Sequence, residues 1–153
     1  MFCDLLAGEG QASWVARRER ASAFLPLAES RLSPAHTLVV PSEHAVGIHD
    51  ASAEALQAVV LLAQEIARAM ETSLDARGVN ILSASGPGSD QSVPHLHLHV
   101  IPRWQGDGLD TWPSTASNRQ LDDGWLDEVR ASLAPWPWRG LRQGTNDQSS
   151  AIP

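Results

Sequence analysis

His95-Leu96-His97-Leu98-His99-Val100-Ile101 alternates imidazole and aliphatic side chains without a break, and Pro102 closes the run. Alternation of this kind has the period of a β-strand, in which successive side chains face opposite ways. Read as a strand from His95 to Ile101, the run places His95, His97 and His99 on one face, about 7 Å apart. Leu96, Leu98 and Val100 then face a core. Histidine is not a favoured strand filler, yet three of the chain's six histidines fall in this one stretch. Two chemistries use such an array. A neutral imidazole can attack phosphorus to give a covalent phosphohistidine-type intermediate, with its neighbours stabilising charge on the phosphoryl oxygens. Alternating imidazoles can instead chelate zinc or copper. A third reading is a polar strand face whose histidines are hydrogen-bonded and inert.

Outward from the run, Gly, Pro, Ser and Asp crowd positions 85–92, which marks a loop delivered to the start of that strand. Before it, 79–84 reads as a strand and 52–70 as a helix. In the helix Leu56, Val59, Val60, Ala63, Ile66, Ala67 and Met70 recur at three- and four-residue spacing. Asp50 or Ser52 is placed to cap it. Thr37 to Val40 is β-rich and stops at Pro41. Trp14–Arg18 and Ala21–Leu25 read as a hairpin around Glu19-Arg20, and Pro26 to Pro34 as a loop. After the histidines, 103–118 has no clear period. Leu121, Trp125, Val129 and Leu133 then repeat every four residues, which predicts a helix over about 121–133.

With 153 residues and 42% hydrophobic content, the chain can build one ordinary globular core. No apolar run is long enough to span a membrane, and Met1 to Leu6 does not read as a secretion signal. A single cysteine, Cys3, excludes an intramolecular disulfide and suits the cytoplasm. The net charge of −7 argues against long nucleic acids. It leaves room for a small phosphorylated ligand held by local N–H donors.

The histidine run with Pro102-Arg103 resembles the signature of the histidine triad (HIT) family. The resemblance extends to Phe2-Cys3-Asp4, to Ala23-Phe24-Leu25, to Ser33-Pro34-Ala35-His36 with Thr37 to Pro41 and His44, and to Gln91-Ser92-Val93. It covers about residues 2–108. It implies an α+β fold with about five antiparallel strands, one long helix and a C-terminal helix, and a homodimer joined through the long helix and a sheet edge. The core domain is then 1–108, with a helical and irregular extension over 109–140 and a disordered tail over 141–153.

By that resemblance His97 is the nucleophile toward the α-phosphorus of a nucleotide. His99 contacts the phosphate or bridging oxygen, His36 completes the polar cluster, and His95 has the most structural role. Gln91 and Ser92 bind phosphate or leaving group. The expected activity is hydrolysis or transfer on a dinucleoside polyphosphate or a nucleoside phosphoramidate, through a nucleotidyl-histidine intermediate and without a cofactor. A catalytically weak nucleotide sensor and a histidine-based metal module are the alternatives. Pro102-Arg103 leans toward the dinucleotide branch, and Gln91-Ser92-Val93 toward the phosphoramidase branch.

Several positions depart from the family pattern. Ala84 stands where an Asn often reaches phosphate, and Ser89-Asp90 replaces the usual pair before Gln91. The loop after Phe24 is longer than usual and puts Pro26 or Ala28 where an acidic residue or Asn holds ribose. Some relatives bind zinc through an N-terminal Cys pair and two histidines. Cys3, His44 and His95 match three of those ligands, which leaves a tetrahedral site incomplete; no residue is therefore assigned to a metal. Trp104, Trp112, Trp136 and Trp138 are expected to cover a sheet edge or dimer seam, the alternative being that one of them lids the site or stacks on a base.

Overall fold

β-branched and aromatic residues build short strands here because each needs only four to six residues to cross the core. The computed structural model describes residues 2–112 and 115–133. The chain divides into two compact units between residues 113 and 114. The first unit carries α1 (Phe2–Leu6), β1 (Trp14–Arg17), β2 (Ala21–Phe24), a 3-10 turn (Ala28–Ser30), β3 (Thr37–Pro41), α2 (Ala53–Leu74), β4 (Gly78–Leu82) and β5 (Leu98–Arg103). The strands form one five-stranded sheet in the order β1-β2-β3-β5-β4, antiparallel throughout.

Side-chain alternation divides the core into two layers. Ala21, Ala23, Val39 and Val100 face α2, which sets Val59, Leu62, Ile66 and Met70 against them. Phe24, Leu38 and Val40 face the other way, onto Phe2 of α1. Each large aliphatic side chain buried there contributes about 1.5–3 kcal/mol. Ser52 caps α2 by accepting the Ala55 N–H at 3.1 Å, as expected. Asp50, the other candidate cap, instead accepts the Val46 and Gly47 N–H groups. The helix runs past the expected end at Met70 and stops at Asp75, which takes a left-handed conformation at φ 52°.

The principal correction concerns the histidine strand. The ladder starts at Leu98, so His97 lies just ahead of it and His95 in a bend before that, a segment outside the sheet. Opposite that segment β3 ends at Pro41, which has no N–H to give. The chain finds other partners: Leu96 N–H donates to Ala45 O, and His97 O accepts the Ser83 hydroxyl. The common facing of the histidines survives, since the rings of His95 and His97 both meet the edge of Phe2. α1 itself was not foreseen. Five residues are too few for periodicity, and the faint signal was the spacing of Phe2, Leu5 and Leu6.

In the second unit α3 spans Trp125–Ser132, shorter than the stretch read from sequence. Its Trp125, Leu126 and Val129 are exposed. The expected tail over 141–153, along with Trp136 and Trp138, lies outside the described residues.

Candidate active site

Hydrogen bonds orient each histidine ring, from a backbone group for His36, His95 and His97 and from the His36 ring for His99. His36 follows Ala35, whose positive φ of 60° turns the chain sharply. A non-glycine residue in that region costs on the order of 1 kcal/mol, and here it sets the buried His36 against β5. The Leu32 N–H donates to His36 Nδ1 at 3.1 Å. An N–H can only donate, so Nδ1 accepts and His36 carries its proton on Nε2. That proton is donated to His99 Nδ1 at 2.9 Å. His99 therefore holds its own proton on Nε2. A tautomer is passed from one backbone amide through two rings.

His97 is fixed independently. Its Nδ1–H donates to the His95 carbonyl at 2.8 Å, which leaves the Nε2 lone pair unshared. His97 and His99 both line a cavity of about 740 Å3, and their ring centroids are 5.0 Å apart. Ser92 lines the same cavity, with Phe24, Leu38 and Val93 giving it an apolar wall. A nucleophilic nitrogen beside an N–H donor, at the polar end of a part-apolar pocket, suits attack on a phosphoryl group carried by a larger organic body.

Other residues singled out in the sequence are placed differently. Gln91 does not line the cavity. Its carbonyl accepts the Gly86 N–H and its amide donates to the Val46 and Val93 carbonyls, so it braces the loop and has no spare donor for phosphate. His95 is buried behind the cavity, where its Nε2–H donates to Pro41 O at 3.1 Å. The Ser83 hydroxyl, next to Ala84, donates to the His97 carbonyl at 2.9 Å. Arg103 is held by Asp107, Asn80, Thr111 and the Leu109 carbonyl. It ties the segment after β5 to β4. Trp104 packs on the core and donates to Leu74 O, whereas Trp112 is 75% exposed.

Burial favours the neutral form of two of these rings, His99 and His36. It pushes the His99 pKa down to about 4, helped by the nearby His97 and His36. Burial also lowers that of His36, with the Arg31 charge adding to the effect. A folded-state pKa below the unfolded 6.5 means that the unfolded chain binds more protons between about 4 and 6.5. Stability then falls as pH drops through that window. Thermal melts should show a lower Tm at pH 5 than at pH 7.5, and His99→Gln should flatten that dependence.

A second cluster lies on the other side of His95. Its Nδ1 is a lone-pair acceptor, because Nε2 donates to Pro41. It sits 3.3 Å from His44 Nδ1 and 3.5 Å from Cys3 Sγ, and the latter two are 3.4 Å apart. The edges of a zinc tetrahedron at ordinary bond lengths are about 3.3–3.4 Å for N···N and about 3.5–3.6 Å for S···N. The three atoms fit three vertices of it, and the Pro41 carbonyl orients His95 as an outer partner does for a metal ligand. The sequence alone left these residues unassigned to a metal; the structure brings them together.

A five-stranded antiparallel sheet with one long helix, carrying three histidines at and just before the start of β5, defines an α+β protein with an imidazole site. The HIT domain model matches residues 7–106, and the chain belongs to the HIT family. Adenosine 5'-monophosphoramidase hnt1 of Schizosaccharomyces pombe is 31% identical over 116 residues, which is 74% of this chain and 83% of that protein. The crystal structure of a HIT-family member from Bacillus subtilis superposes with a TM-score of 0.74 at 28% identity, covering 89% of this chain and 98% of that one. A zinc-bound histidine triad protein from Mycobacterium smegmatis gives a TM-score of 0.68 at 33% identity, covering 75% and 82% of the two chains.

Proposed function

We propose that the protein is a nucleotidyl hydrolase or transferase in which His97 Nε2 attacks the α-phosphorus of a nucleotide. The observation that carries this reading is the bond from His97 Nδ1–H to His95 O, which leaves Nε2 with an unshared pair at the cavity wall. Attack forms the N–P bond and breaks the bond from phosphorus to the leaving group, which departs with the electron pair. Water then adds to phosphorus, the N–P bond breaks, and a nucleoside monophosphate leaves. His99 Nε2–H stabilises charge on the phosphoryl oxygens, His36 fixes the His99 tautomer, and Ser92 binds phosphate. Substrates are of the dinucleoside polyphosphate or nucleoside phosphoramidate type; the name of the fission-yeast relative supports the second. The test is a panel of both classes, with acid-quench trapping of nucleotidyl-enzyme in wild type and in a His97 variant.

A catalytically weak nucleotide binder is the second reading, favoured by the engagement of Gln91 with the loop and by Ala84. Rapid single-turnover release of AMP from a test substrate overturns it. We also propose that Cys3, His44 and His95 supply three of the four ligands of a structural zinc ion, as their spacing and the zinc-bound relative support. A structural zinc supplies a cross-link between segments and no step of the reaction.

A homodimer is the expected assembly, with cytoplasm as its compartment. β4 is an edge strand with one unpaired side, and Ile81 on it is exposed, as are Val60 and Leu61 on α2. An open edge beside exposed aliphatic side chains favours pairing with a second copy. Light scattering after gel filtration should give twice the chain mass for wild type and a shift toward monomer for Leu61→Glu. A monomeric wild type overturns the assembly.

A further inference from the structure

Arg31 stands in the same cavity as His97 and His99, on the wall given by the loop between β2 and β3. Its own N–H closes the short 3-10 turn onto Ala28 O, and its side chain folds back so that Nε donates to Pro26 O at 3.1 Å. The neighbouring residue, Leu32, grips His36 through its N–H. The guanidinium is thus anchored at Nε, while both Nη groups have no protein partner among the described residues. Among the described residues Arg31 meets no carboxylate, whereas Arg18, Arg103 and Arg130 each do; of the arginines it alone lines this cavity.

The rest of the cavity gives that free fork its meaning. Burial holds His99 well below the ordinary imidazole range, so near neutral pH it offers a donor but no charge. Among its described lining residues Arg31 is the one permanent cation, and Asp4 and Glu9 line the N-terminal side. In a chain of net charge −7 an anionic ligand is repelled on approach unless a local cation offsets the field. Two unengaged Nη groups in one plane match the oxygens of a phosphate. At about 740 Å3 the cavity falls in the upper part of the range for small-molecule sites.

We propose that Arg31 forms a second anion subsite, which holds a ligand phosphate other than the one attacked at His97. Preferred ligands then carry at least two phosphates, the second being either the β-phosphate of the leaving group or a phosphate on the ribose. This rests on the nucleotidyl-transfer reading above.

The test is equilibrium binding of AMP, ADP and adenosine 3',5'-bisphosphate to wild type, Arg31→Gln and Arg31→Lys, with thermal melts to check folding. In wild type at least one two-phosphate ligand should bind about 10- to 100-fold more tightly than AMP, the range for a charge-assisted pair. In Arg31→Gln that ratio should collapse toward one, and Arg31→Lys should keep part of it. A gain confined to ADP assigns the subsite to the leaving-group side; a gain confined to the bisphosphate assigns it to the ribose. The proposal is overturned if wild type shows no gain, or if Arg31→Gln leaves the ratio intact. Failure of the parent reading shows differently, as a wild type that binds none of the three or turns over independently of His97.

Discussion

A His97→Asn protein should turn over a dinucleoside polyphosphate or a nucleoside phosphoramidate about 10^4-fold more slowly than wild type, or worse, and should yield no trapped nucleotidyl-enzyme. Losing a nucleophile removes the covalent route itself, and such losses run to several orders of magnitude. Asparagine is the informative replacement. Its side-chain amide can still donate to the His95 carbonyl, as Nδ1–H does now, but it offers no basic nitrogen toward phosphorus. His97 is 3% exposed, so a melt must accompany the rate, and a Tm within a few degrees of wild type locates the loss in the chemistry. His99→Gln should slow turnover less, by about 10^2- to 10^3-fold, the usual consequence of removing one donor to a developing oxyanion. A His97→Asn enzyme of near wild-type rate would remove His97 from the role.

Zinc removal should be the largest perturbation of stability. A ligand that binds only the folded state at about 1,000 times its Kd stabilises by about 4 kcal/mol. For a domain of this size that corresponds to about 8–16 °C in Tm. Purified protein is expected to carry about one zinc per chain by elemental analysis, and strong chelators should lower its Tm by an amount in that range. Cys3→Ser should lose the metal and melt with the chelated wild type, and added zinc should not rescue it. The pieces being fastened explain the effect. Cys3 belongs to α1, His44 follows β3, and His95 opens the histidine segment, so one ion would close three otherwise separate stretches. Because His95 O also holds His97 Nδ1–H, chelation should slow turnover as well. Metal-free protein with an unchanged Tm would rule zinc out.

Much of this was legible in the residues, for identifiable reasons. β1, β2 and β3 appeared within a residue or so of their observed bounds because Pro41 and the polar turn at Glu19-Arg20 punctuate them. α2 was plain from its apolar stripe, but its end was not. Nothing in the local pattern marks where the helix ends, and the left-handed Asp75 that stops it after Leu74 carries no strong glycine-like signal. The start of β5 was misplaced because alternation reports side-chain facing and not whether a partner strand still offers N–H groups. From sequence Gln91 is a candidate phosphate donor because its amide is the right group. Only the folded loop shows that group spent on Gly86, Val46 and Val93.

The seven residues from His95 to Ile101 determined the sheet, the common facing of three imidazoles and the class of chemistry, since all of these follow from local period and side-chain type. The tertiary structure decided what each imidazole is free to do. A histidine's role depends on which nitrogen carries the proton, and that is dictated by what the other nitrogen meets. Here the partners are distant in sequence. His36 lies 63 residues from His99, Pro41 lies 54 residues from His95, and Cys3 lies 92 residues from His95. No pattern along the chain encodes those meetings, because hydrogen bonds are made through space by backbone groups every residue possesses.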